Sequence, residues 1–127
     1  MSARVSPVVL RLKHRPQFLR VAGTRRKWVT LGLIVQARQR PENDEEAVPS
    51  KAVRIGFTVS KKVGNAIKRN RARRRLRAAV DEVAPFHARE GYDFVVIGRA
   101  ETIKRPYAML VNDLKTAFKR LVEPRKT

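Results

Sequence analysis

Apolar residues change their spacing several times along this chain, and each change predicts an element. Arg54-Ile55-Gly56-Phe57-Thr58-Val59-Ser60 alternates, with Ile55, Phe57 and Val59 on one side, as a half-buried strand does. Trp28 to Ala37 and Tyr92 to Gly98 are richer in apolar and β-branched residues and read as two further strands. Helical spacing takes over in three places. A short first helix spans Pro16 to Ala22, with Pro16 suited to its first turn. A second runs from about Ala66 to Ala84, capped by Asn65 and stopped by Pro85. In the third, Tyr107, Leu110, Val111, Leu114, Ala117, Phe118 and Leu121 recur on one face behind Pro106. The order helix, strands, helix, strand, helix predicts an α+β fold: a single small, mostly antiparallel sheet packed with three helices.

No repeat and no low-complexity tract divides the 127 residues, so one domain spanning 1–127 with short termini is expected. Residues 39–52 form a polar, proline-bounded stretch holding Glu42, Asp44, Glu45 and Glu46, four of the eleven acids. It reads as an exposed, solvated loop at the tip of an antiparallel hairpin between the first two strands. The apolar patch Val8-Val9-Leu10 is too short for a signal-peptide core, and no run is long enough to cross a bilayer. With no cysteine, disulfides and thiolate metal sites are excluded, which fits a reducing, cytoplasmic setting.

Charge adds the functional class. Thirty Lys and Arg against eleven acids give a net charge of +19, a field that implies a polyanionic partner. An anionic membrane fits less well than nucleic acid, because no strongly apolar helical face backs the basic stretches. Nine basic residues fall between Lys61 and Arg77. On a helical plot Ala72, Leu76, Ala79, Val80 and Val83 form the stripe that packs on the sheet. Arg69 lies inside that stripe, Arg73 and Arg77 run along its edge, and Arg75 lies on the opposite side. Stacked like charges destabilise an isolated helix, so the row invites phosphates, which the planar guanidinium grips in pairs. Gly64-Asn65 adds backbone N–H groups at the positive end of the helix.

The run Phe57-Thr58-Val59-Ser60-Lys61-Lys62-Val63-Gly64-Asn65-Ala66-Ile67-Lys68-Arg69-Asn70-Arg71 resembles the signature of the bacterial ribonuclease P protein component. Arg69-Asn70-Arg71 coincides with that family's Arg-Asn-Arg motif. The resemblance extends to Phe18, the strand at Trp28–Ala37, the strand at Tyr92–Gly98 and the last helix. It departs at Ala72, where a sizeable aliphatic residue is usual, and at Ala22, where a second aromatic is common.

The resemblance implies a partner, a substrate and a division of labour. Such proteins bind a large catalytic RNA and help it remove the 5′ leader from precursor tRNA. The RNA holds the catalytic Mg²⁺ and supplies the active site, so neither a catalytic residue nor a bound metal is expected in the protein, and no DNA or membrane partner. Lys61, Lys62, Asn65, Lys68, Arg69, Asn70, Arg71, Arg73, Arg74 and Arg77 are the residues expected to face RNA. A cleft between the first helix and the sheet would hold the leader. Periodicity alone makes Phe18 a core residue, whereas the resemblance puts it in that cleft. Trp28 and Phe57 are expected to supply other parts of its floor, their facing left open. The resemblance also implies a left-handed β-α-β crossover.

Two other classes compete. A self-sufficient nuclease would need a base, a nucleophile or a metal cluster. His14 and His87 have no catalytic spacing, Ser60 with Lys62 is a common chance pairing, and the acidic loop is ordinarily only solvated. A ribosomal or nucleoid structural protein would also be small and basic, but the basic cluster here lies inside a folded-looking strand–helix unit rather than in a tail.

Overall fold

A strand whose side chains are apolar on both faces belongs in the middle of a sheet. Tyr92–Gly98 fits that description, and in the computed structural model, which describes residues 7–44 and 46–122, it is the central strand β5 of a five-stranded sheet. In chain order the strands are β1 (Val9–Arg11), β2 (Lys27–Val29), β3 (Leu33–Gln39), β4 (Val53–Thr58) and β5, arranged β1-β4-β5-β3-β2. The helices are α1 (Arg15–Gly23), α2 (Ala66–His87), α3 (Glu101–Lys104) and α4 (Tyr107–Val122), with a 3-10 turn at Lys61–Val63. The architecture is α+β. The sheet is mixed: β2–β3 and β3–β5 are antiparallel, β1–β4 and β4–β5 parallel. Parallel neighbours need a long crossover, and α2 provides it between β4 and β5.

Three expectations are corrected. The first two strands are not hairpin partners, because β5 lies between β3 and β4 and pairs with both. The expected strand at Trp28–Ala37 is itself a hairpin, β2–β3, bent at Leu31-Gly32. Thr30 N donates to the Leu33 carbonyl at 2.8 Å across that bend, and a side chain on Gly32 would meet the Asp113 carboxylate at 2.7 Å. Pro85 does not stop α2, which continues to His87. A proline in the last turn deprives one carbonyl of its donor, and the burial of Val83, Ala84 and Ala88 holds the turn in place. The patch Val8-Val9-Leu10, to which the sequence assigned no element, feeds a short edge strand, β1, docked on β4.

The sheet separates two unequal cores. Leu33, Val35, Val53, Ile55, Phe94 and Val96 point to the face covered by α2 and α4, where Leu76, Val83, Leu110, Leu114 and Phe118 meet them. Phe94 and Phe118 pack edge to face with ring centroids 4.7 Å apart. The other face carries α1 over a small cluster of Leu12, Val21 and Val95, with Phe18 and Ile97 packed against it.

Asp93, on that second face, is 1% exposed and compensated by arginines. Arg54 donates to both its oxygens, Nε to Oδ1 at 2.9 Å and Nη2 to Oδ2 at 2.7 Å, and Arg40 Nη1 reaches Oδ1 at 2.8 Å. The hydrogen bond to Asp93 raises the Arg54 pKa above its ordinary value, against the opposing effect of burial. Arg40 goes on to the carbonyls of Tyr92, Pro49 and Ala52, which ties the start of β5 to the segment before β4. Asp93→Asn leaves the buried Arg40 guanidinium with no acidic partner among the described residues and Arg54 with Glu46 alone, and is expected to cost about 3–5 kcal/mol, measured by urea unfolding.

Candidate nucleic-acid interface

The basic helix starts at a well-made cap. Gly64 takes φ 145, a conformation that side chains disfavour, and Asn65 Oδ1 accepts the Lys68 N–H at 3.0 Å. From there Ala72, Leu76, Ala79, Val80 and Val83 are buried, as the helical plot requires. Arg69 is half-buried, and its Nε lacks a hydrogen-bond partner among the described residues. Arg73 and Arg77 are exposed beside Asn70 and Arg74, and these four line a shallow depression of about 350 Å³. Arg73 Nη1 lies 3.4 Å from Asn70 Oδ1. Lys61, Lys62, Asn65, Lys68 and Arg71 are exposed around the helix start. Arg75 differs: it is half-buried and donates to the Arg105 carbonyl, so it fastens α2 to the α3–α4 turn.

Among the described residues none of the expected RNA-facing cations on α2 or its 3-10 turn pairs with a carboxylate. The acids that form ion pairs, Asp44, Glu46, Asp93 and Asp113, pair with Arg20, Arg38, Arg40, Arg54 and Arg105 elsewhere. Glu82 of α2 accepts from the Tyr107 hydroxyl at 2.9 Å, and burial followed by this bond raises the Tyr107 pKa. The basic residues between Lys61 and Arg77 thus form no ion pair among the described residues, while Arg40 and Arg54 at the sheet are paired.

The expected cleft residues are not brought together. Phe18 lies on the α1 face, its ring directly over Gly56. Phe57 packs on the opposite face, with the Arg11 guanidinium 5.0 Å from its ring centroid. Trp28 pairs across the sheet with Val35, which faces the large core, and Arg120 of α4 sits over its ring at 5.7 Å. One cleft cannot contain all three.

What accompanies Phe18 is a row that the sequence reading missed. Val29, Ile34, Ile97 and Thr58 are cross-strand partners on β2, β3, β5 and β4. They share the α1 face, since Ile97 is two residues from Val95. Val29 is 50% exposed, Thr58 is exposed, and Ile34 and Ile97 are half-covered. The row lies beside α1, at the sheet end from which β4 runs into the Lys61-Lys62 turn. The two-residue period of a strand places Ile97 on the side of Val95, but the row exists only once the register is known.

His14 precedes the first turn of α1 and His87 ends α2, helices that cover opposite faces of the sheet. Among the described residues no three His, Asp or Glu lie close enough to hold a metal ion, and no helix is long and apolar enough to cross a membrane.

A family model described as Ribonuclease P matches residues 7–122. The chain belongs to the ribonuclease P protein family. It is 54% identical to the ribonuclease P protein component of Paramagnetospirillum magneticum, over all of this chain and 90% of that one. It is 47% identical to the component from Gluconacetobacter diazotrophicus, over 87% of this chain and 89% of that one. The ribonuclease P protein from Thermotoga maritima shares the fold at a TM-score of 0.71 and 23% identity, covering 89% of this chain and 98% of that one. The Staphylococcus aureus protein does so at 0.67 and 24%, covering 87% and 93%.

Membership makes this chain an RNA-binding component of an endoribonuclease ribonucleoprotein that acts in tRNA processing. Its two departures from the usual ribonuclease P pattern fall in different settings: Ala72 is fully buried in the large core, and Ala22 is exposed on α1. Gly56, beneath Phe18, has no room for a side chain: a Cβ there would lie 2.5 Å from Phe18 Cε1 and 3.1 Å from Leu12 Cβ. Gly56→Ala is expected to lose about 1–3 kcal/mol in thermal or urea melts, and Phe18→Leu added to it is expected to restore part of the loss.

Proposed function

We propose that the protein uses the basic side of α2 to bind the catalytic RNA of ribonuclease P, and the α1 face of its sheet to hold the 5′ leader of precursor tRNA. The observation that carries this reading is the pairing of two unlike surfaces at one end of the sheet. One is a helix face whose arginines have no acidic partners among the described residues; the other is a partly open, mainly apolar row beside Phe18. A structured RNA presents phosphates, which match the first surface. A single-stranded leader presents base faces, which match the second, because an aromatic ring and aliphatic side chains accept any base with little sequence preference.

The leader surface proposed here is Phe18 with Val29, Ile34, Ile97 and Thr58; Trp28 and Phe57 are outside it. Chemistry is assigned to the RNA, which would hold the Mg²⁺ and cleave the leader to leave the mature 5′ end. The protein contributes binding and orientation: it neutralises phosphates and fixes the leader relative to the cleavage site. Asp93, Glu46 and Asp113 do not fit a metal role, since arginines engage them.

The deciding experiment is precursor-tRNA cleavage by the protein alone, the cognate RNA alone, and both together. The protein freed of RNA is expected to cleave nothing, and His14→Ala with His87→Ala is expected to support the RNA at near wild-type kcat. For the α2 surface, each of Arg73→Ala and Arg77→Ala should flatten the dependence of log K on log salt by up to about 0.9. Arg75→Ala should lower the melting temperature and leave that slope unchanged. For the leader surface, Phe18→Ala should weaken precursor binding about tenfold, within the range of one base–aromatic contact, and leave mature tRNA affinity unchanged in equilibrium titrations of the holoenzyme.

A further inference from the structure

The segment read from sequence as a solvated acidic loop is not wholly solvated. Glu42 is exposed, but Asp44 and Glu46 are half-buried, while Glu45 lies outside the described residues. Glu46 is where three side chains converge. Its Oε1 accepts from Arg20 of α1, and its Oε2 accepts from Gln17 Nε2 of α1 at 3.0 Å and from Arg54 of β4. Gln17 Oε1 in turn accepts the backbone N–H groups of Lys13 and His14 at 2.8 and 2.9 Å. These are donors that the start of a helix would otherwise leave unpaired. On its far side Arg54 grips Asp93. A continuous line of hydrogen bonds therefore runs from the first turn of α1 through Glu46 into the centre of the sheet.

α1 needs such a hold. It is nine residues long, too short to be stable alone, and Val21 is its one buried residue. Its C-terminal end is tied down by Thr24 Oγ1, which donates to the Ala37 carbonyl at 2.8 Å. The half that carries Gln17, Phe18 and Arg20 has only the small cluster beneath it and the Glu46 carboxylate beside it. Phe18 is the residue in this half that rests on the sheet, on a glycine whose missing side chain sets how low the ring can sit. The ionic line closes the sheet face at the Arg54 end, and the Val29–Ile34–Ile97–Thr58 row leaves it open at the other.

We propose that Glu46 is a positioning residue for the tRNA leader: by fastening the N-terminal half of α1 to β4, it sets the height and angle of Phe18 at the edge of the open row. This rests on the reading that the leader lies against Phe18. The acid touches no RNA in this scheme. It acts through α1, and its sign is opposite to what its charge alone would do. A carboxylate near an RNA site repels phosphate, so if charge were its only effect, removing it would tighten binding of precursor and mature tRNA alike.

The test uses the reconstituted holoenzyme, with dissociation constants for precursor and mature tRNA measured at one fixed salt concentration. Glu46→Ala is expected to weaken precursor binding about three- to tenfold, within the range of one base contact, and to leave mature tRNA unchanged. In a Phe18→Ala background the same substitution is expected to have little further effect, because the two residues act through one contact. Gln17→Glu keeps the cap on Lys13 and His14 but sets one carboxylate against another, so it should mimic Glu46→Ala. It also serves as the probe if Glu46→Ala melts below the assay temperature. Combining Gln17→Glu with Glu46→Gln restores the net charge and the donor–acceptor pair between 17 and 46, but it sets an amide N–H where Glu46 accepts from Arg54, so it should recover precursor discrimination only in part. Tighter or equally altered binding of both tRNA forms by Glu46→Ala, or full additivity with Phe18→Ala, overturns the proposal. A Phe18→Ala holoenzyme that still discriminates normally overturns the leader reading, and this inference with it. Lost discrimination in Phe18→Ala but not in Glu46→Ala overturns the role of Glu46 alone.

Discussion

The structure turns on one buried carboxylate, Asp93, and the arginines that surround it. A chain carrying +19 resists compaction, because each basic side chain brought inward adds repulsion to the cost of leaving water. Placing an acid on the central strand and converging Arg40 and Arg54 on it turns part of that liability into a hydrogen-bonded junction. The junction links β4, β5 and the 40–52 segment, and through Glu46 it reaches α1. It also lies on the face with the smaller apolar core, where less hydrophobic burial is available to hold the elements together.

From this follows a division of charge that bears on function. Acids collect where the fold needs them, at the sheet, in the 40–52 segment and at the Arg105–Asp113 pair before α4. The start of α2 receives none. Its arginines form no ion pair among the described residues, whereas Asp44, Glu46, Asp93 and Asp113 pair with arginines elsewhere. Uncompensated cations on a rigid, well-capped helix keep a fixed spacing, so the repulsion among them is stored until an anion relieves it.

The sheet then keeps two tasks apart. One face is filled by α2 and α4 and carries most of the hydrophobic stabilisation. The other is only partly covered, because α1 is short and crosses at Gly56. Apolar surface is left open there next to the basic turn at Lys61-Lys62. A ribonucleoprotein component must present a hydrogen-bonding, charged surface to folded RNA and a drier one to unpaired bases. Opposite coverage of the two sheet faces makes both from a small domain.

Much of this was legible in the residues themselves. The limits of β5, the Asn65 cap, the buried stripe of α2 and the face of α4 follow from local periodicity and capping, which act over a few residues. Arg69-Asn70-Arg71 and its surroundings carried the family, since a motif is local too. Strand order was not legible: whether β3 meets β4 or β5 depends on how α2 crosses over, and nothing inside a strand records its neighbour. The hairpin at Leu31-Gly32 escaped because apolar residues on both sides imitate one long strand. The facing of the aromatics escaped for a related reason. Phe18, Trp28 and Phe57 are equally apolar, and only register and sheet order put the first on one face and the other two on the opposite one. Glu46 was hardest of all. By composition it belongs to a solvated acidic loop, and its role exists only because Gln17 and Arg20, far away in sequence, and Arg54 are folded around it. Local patterns determined which elements form and which family the chain belongs to. Long-range pairing, whose entropic cost is repaid only when the whole sheet assembles, decided which side chains share a surface.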